Sequence, residues 1–104
     1  MKKTKYIAKP FSDEIKESVF VAQNGYCKNC LNPIVDFHHK LKNSKSNNSK
    51  YPILVNSCIN CVGLCRECHS SKSHMFRIKP ELASVYEKFL QEFRDYHFNK
   101  IERG

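Results

Sequence analysis

"CINCVGLCRECHSSKSH", residues 58–74, places four cysteines and two histidines in seventeen positions. It contains two C-x-x-C pairs, Cys58/Cys61 and Cys65/Cys68, and a third pair, Cys27/Cys30, lies upstream. One zinc ion takes four ligands, so two cysteines are surplus, and the choice of pairs decides the fold. Joining Cys58/Cys61 to Cys65/Cys68 demands a chain reversal within Val62-Gly63-Leu64. The run also lacks the C-x2-C-x2-C-x3-C-P spacing of iron–sulfur proteins. Joining Cys27/Cys30 to Cys65/Cys68 leaves 34 intervening residues, enough for a hairpin that returns the second knuckle to the first. That second set is expected to hold one structural zinc. Cys58 and Cys61 then remain as small buried hydrophobes or idle thiols.

The bulk numbers set the context. A chain of 104 residues suits one domain spanning residues 1–104, small enough to benefit from a metal staple. Eighteen basic residues against ten acidic ones give a formal charge of +8, which points to a polyanion, with nucleic acid ahead of a membrane surface. No apolar run approaches a membrane span. The basic start MKKTKYIAKPF lacks the apolar stretch of a signal peptide. A cytoplasmic, reducing location is therefore expected, a host cytoplasm if the chain is phage-encoded. Six cysteines also allow a disulfide-stapled secreted protein. Their grouping in C-x-x-C pairs without an export signal favours zinc over disulfides.

Local patterns divide the chain. Residues 1–12 read as a loose basic arm. Ser12 caps a helix over residues 13–23, with Ile15, Val19 and Ala22 at helical spacing, and Asn24-Gly25 ends it. Residues 34–39, IVDFHH, read as a strand. Residues 40–50, KLKNSKSNNSK, are polar and basic and read as a surface loop. Residues 59–64 suggest a second strand, and helix signals resume near Arg66. Pro80 opens a helix over residues 80–98, with a stripe of Leu82, Val85, Tyr86, Phe89, Leu90, Phe93 and Tyr96. That stripe reads as core packing or a docking face.

A structural zinc finger has no need of His38-His39 between its half-sites, nor of His69 directly after Cys68. With these residues in view, the sequence resembles the HNH endonuclease family in its zinc-stapled form. The resemblance covers residues 13–76: a helix, then YCKNC, then VDFHHK, then NCVGLCRECH. It implies an α+β fold, a small ββα-metal core stapled by a four-cysteine zinc site, with flanking N- and C-terminal helices. It also implies metal-dependent hydrolysis of DNA phosphodiesters, by nicking or double-strand cleavage. Carried over residue by residue, His39 matches the general base and His38 a ligand of the catalytic cation. Asn60 matches the central Asn that fixes the loop or touches the metal, and His69 matches the helix-borne ligand. Asp36, which shares a strand face with His38, and His74 are further candidate ligands. His74 departs from the family spacing by one residue, and on a continuous helix it would point away from His69. The Gly-rich loop usual after the histidine pair is replaced by a lysine- and asparagine-rich one.

These residue types suit hydrolysis. Imidazole, with a reference pKa near 6.5, can deprotonate water near neutral pH, and a positioned general base contributes about 10² to 10⁴ in rate. Histidine ligands leave a divalent cation (Mg2+, Mn2+, Ni2+ or Zn2+) with open positions. Lys40, Lys42, Lys45 and Lys72 are the expected phosphate contacts. The competing expectation is a non-catalytic zinc-dependent nucleic-acid-binding module. The target, the catalytic ion and the oligomeric state do not follow from the sequence.

Overall fold

Ser12 begins the first element: its Oγ accepts from the Ile15 amide at 3.3 Å, capping α1 (Asp13–Ala22) with Asp13 and Glu14 in the favourable first turn. The computed structural model describes residues 9–103 and the side chains as far as Asp95. Residues 1–8 of the expected arm and the Tyr96 ring of the expected stripe fall outside this. After α1 the chain turns through Asn24 and Gly25, both at positive φ, a conformation that suits these two residue types.

Among the described residues the fold is α+β, with one two-stranded antiparallel sheet and five α-helices. β1 (Asp36–His39) pairs with β2 (Cys61–Leu64) so that Asp36 faces Leu64, Phe37 faces Gly63, His38 faces Val62 and His39 faces Cys61. Between the strands lie α2 (Lys45–Lys50), α3 (Pro52–Val55) and a 3-10 turn at Cys58–Asn60. The turn occupies the start of the expected second strand. β2 leads into α4 (Arg66–Ser71), a 3-10 turn at Ser73–Phe76, and α5 (Pro80–Arg103).

The expected surface loop at 40–50 is therefore corrected: its second half is helix. Ser44 supplies the signal that the polar composition hid. Its Oγ accepts from the Asn47 amide at 3.1 Å, and Asn47 Nδ2 donates to the Lys42 carbonyl at 2.9 Å. The Ser44 and Asn47 side chains thus bond backbone groups around the start of this helix, where such residues are favoured as caps.

Among the described residues three small cores hold the elements. Cys27, Val62, Leu64, Cys65 and Cys68 cluster on the Asp36/His38 face of the sheet, with Phe76 against them. Phe11, Val19 and Cys61 cluster on the Phe37/His39 face, where α1 docks. Strand alternation thus sends His38 and His39 to opposite faces. The third core joins Leu41, Leu54, Val55, Ile78 and Ala83, with Tyr86 and Leu90 of α5. The expected stripe of α5 therefore splits: Leu82, Val85, Phe89 and Phe93 are exposed. A feature that periodicity did not reveal docks this helix. Glu87, 5% exposed, accepts from the backbone amides of Ile53 and Leu54 at 3.1 and 2.7 Å. It thereby satisfies donors that a four-residue helix leaves open.

Gln23 ties α1 to β2. Its side-chain amide donates to the Gly63 carbonyl at 2.9 Å and accepts from the Gly63 amide at 3.0 Å, like an added strand. A Cβ at Gly63 would stand 2.6 Å from Ile34 Cδ1, so the Ile34 side chain would have to shift to admit one.

Candidate metal centre and active site

Two knuckles meet at the end of the sheet. The sulfurs of Cys27, Cys30, Cys65 and Cys68 all lie within 4.8 Å of one another, and those of Cys30 and Cys65 are 3.5 Å apart. A tetrahedral zinc with sulfur at about 2.3 Å sets its ligands roughly 3.8 Å apart, so the four cysteines fit such an ion. Their surroundings suit thiolates. The Asn29 amide donates to Cys27 Sγ at 3.4 Å, Asn29 Nδ2 to Cys68 Sγ at 3.3 Å, and the Cys68 amide to Cys65 Sγ at 3.4 Å. Burial raises the Cys27 thiol, but hydrogen bonds from Cys65, Cys30 and Asn29 outweigh it and bring the pKa down to about 6. For Cys68 the Asn29 amide lowers the value, while burial and the three neighbouring cysteines push it up to about 12. Crowded sulfurs resist shared ionisation, and a dication removes that resistance. All six cysteines are unpaired. Of the surplus pair, Cys61 is buried and Cys58 exposed, so the expected buried-hydrophobe role applies only to Cys61.

The histidines gather beside this centre. His38, His39, His69 and His74 line one open cleft of about 730 Å³, bordered by Lys40, Lys42 and Arg77. His38 reaches it from the zinc-site face of the sheet. His39, last in β1, reaches it from the other face at the strand's end. The His38 and His69 ring centres are 5.2 Å apart. Their planes are tilted 57° to each other. The sequence anticipated that His74 would need a break in its helix. The break exists, because α4 ends at Ser71 and His74 lies in the following 3-10 turn.

Asp36, the other candidate ligand on the His38 face, lies against His69. Its carboxylate sits behind His69, 3.2 Å from Nδ1, and 3.3 Å from the Arg66 guanidinium. This contact orients the His69 ring. Asn60 is fully buried. Its Oδ1 accepts from the Leu41 amide, and its Nδ2 donates to the carbonyls of Leu41 and Val55, each at 3.1 Å. Of the two roles the resemblance allowed, the amide is committed to fixing the loop.

Burial lowers the His38 pKa, helped by the charges of His69 and Arg77. Burial, then His38, brings His39 down to about 4. His39 Nε2 is sealed from solvent and has no hydrogen-bond partner among the described residues. The Phe11 ring lies flat on the His39 imidazole, with centres 3.7 Å apart and planes 10° from parallel. Phe11 and Arg77 were not anticipated. Of the expected phosphate contacts, Lys40 and Lys42 border the cleft, while Lys45 and Lys72 are exposed away from its lining. Among the described residues no helix is long and apolar enough to cross a membrane. The chain matches no protein-family model, no curated protein and no solved structure.

Proposed function

We propose that the chain is a metal-dependent endonuclease of the HNH class that hydrolyses DNA phosphodiester bonds. The observation that carries this reading is the meeting of His38, His39 and His69 in one cleft edged by Lys40, Lys42 and Arg77. In this reading Cys27, Cys30, Cys65 and Cys68 hold a structural zinc that fastens the hairpin to α4. His38 and His69 hold a divalent cation, which when bound would stabilise charge on the scissile phosphate and the leaving oxygen. Asp36 keeps His69 turned toward that cation, and Asn60 holds the loop behind it. His39, neutral at pH 7 because it is buried, takes the proton of the attacking water at Nδ1. Lys40, Lys42 and Arg77 hold the phosphate backbone across the cleft.

One observation favours the alternative, a zinc-dependent nucleic-acid-binding module without catalysis. Among the described residues, only the four cysteines form a cluster of three or more metal-ligating side chains, while His38 and His69 are two. The reading is tested by nicking of supercoiled plasmid across a divalent-metal titration. Wild type should cut. His39→Ala should stay folded, zinc-loaded and DNA-binding but not cut. Excess metal should partly restore His38→Ala and His69→Ala but not His39→Ala. A wild-type protein that binds duplex DNA with a salt slope of about −0.9 per phosphate contact, yet fails to cut with every divalent cation tested, would establish the alternative.

A further inference from the structure

We propose that Phe11 is a positioning residue for His39, and that residues 9–11 form a strap belonging to the active site. The role of His39 as base rests on the nuclease reading above, whereas its positioning by Phe11 rests on geometry alone. The χ2 torsion of histidine is broad, so its own rotamer does not fix the plane of the ring. A working histidine is ordinarily aimed by a hydrogen bond at the nitrogen remote from the reaction. His39 has no such bond among the described residues, since its Nε2 is buried without a partner. What meets the ring instead is the face of Phe11, 3.7 Å away and within 10° of parallel.

Phe11 is itself held on two sides. It is 3% exposed and packs with Val19 and Cys61. Two residues before it, the Lys9 carbonyl accepts from Asn43 Nδ2 at 2.6 Å, and Asn43 lines the same cleft. The strap therefore joins the start of the chain to the segment after β1 and presses one flat ring onto another. Stacking sets the plane of the imidazole, and that plane sets the direction of Nδ1.

The test uses the full-length, zinc-loaded protein with Phe11→Leu, which keeps an apolar side chain but removes the flat face, and Phe11→Tyr, which keeps that face. Leu90→Ala, packed against a different core cluster, controls for simple loss of packing. The first readout is the NMR signal of the His39 ring. It should be single and sharp in wild type and Phe11→Tyr, averaged or doubled in Phe11→Leu, and unchanged in Leu90→Ala. The second readout is plasmid cleavage. A misaimed base should lower kcat about tenfold to hundredfold with KM unchanged in Phe11→Leu, with recovery in Phe11→Tyr and no loss in Leu90→Ala. An equally ordered His39 ring in wild type and Phe11→Leu overturns the proposal, as does an equal kcat loss in Leu90→Ala. If wild type fails to cut but the ring signal responds as stated, the nuclease reading falls and the positioning stands.

Discussion

Asn60 and Leu41 hold each other from both sides of one amide. The Leu41 N–H donates to Asn60 Oδ1, and Asn60 Nδ2 donates back to the Leu41 carbonyl. The next backbone group along, the Lys40 N–H, donates to the Asn60 carbonyl at 2.8 Å. The exit of β1 is thus clamped to the entrance of β2. Asn60→Ala would orphan the Leu41 amide and the Leu41 and Val55 carbonyls in a site with no solvent access. Each unsatisfied group costs about 1–3 kcal/mol, so a loss of about 3 kcal/mol or more is expected. Urea unfolding of the zinc-loaded variant measures it, and a loss below about 1 kcal/mol would show that the clamp is dispensable.

The four-sulfur cluster predicts a division among the six cysteines. Cys27→Ser should lose zinc and with it the folded state, because a structural site of this kind contributes on the order of 10 kcal/mol to folding. Cys58→Ser should keep a full equivalent of metal, since Cys58 is exposed and outside the cluster. Elemental analysis beside circular dichroism checks both. Zinc retained in Cys27→Ser and lost in Cys58→Ser would reverse the ligand assignment.

Leu31 follows the first knuckle with φ at +67° and is 74% exposed. A left-handed conformation costs an ordinary side chain about 1–2 kcal/mol, and here the exposed side chain has little packing to offset it. Glycine removes that strain but adds about 0.5–1 kcal/mol of unfolded-state entropy. Leu31→Gly should therefore raise stability by up to about 1 kcal/mol, read as a higher Tm at saturating zinc. A lower Tm would mean that Leu31 makes a contact more valuable than the strain it carries.

His39 gives stability a pH dependence with a definite sign. Its pKa falls from 6.5 to about 4 on folding. Between these values the unfolded chain holds a proton that the folded chain does not. The contribution of the neutral ring is fully present above pH 6.5 and is lost as pH falls toward 4. Wild type should therefore lose more stability than His39→Gln across that interval, zinc release being common to both. Parallel pH curves for the two proteins would show that the His39 pKa is not lowered by folding.

Much of the fold was legible because its signals are local. The knuckle spacing of Cys27/Cys30 and Cys65/Cys68 selects the ligand set before any coordinates, since four sulfurs can converge only if the chain between them folds back. The Ser12 cap, the Asn24-Gly25 stop and Pro80 mark helix ends through backbone groups within a few residues. The grouping of His38, His39 and His69 was expected from the family resemblance that the knuckles and histidines together carry. Tertiary structure alone decided which partner each polar group takes. Asp36 takes His69 as its partner because the sheet register sets it beside α4. Asn60 spent its amide on Leu41 and Val55, 19 and 5 residues away. Glu87 was drawn inward by the open amides of α3, and Phe11 was laid across His39 by a strap from the far end of the chain. Such partners depend on register and docking, which arise from the summed packing of distant elements, and no pattern confined to neighbouring residues carries them.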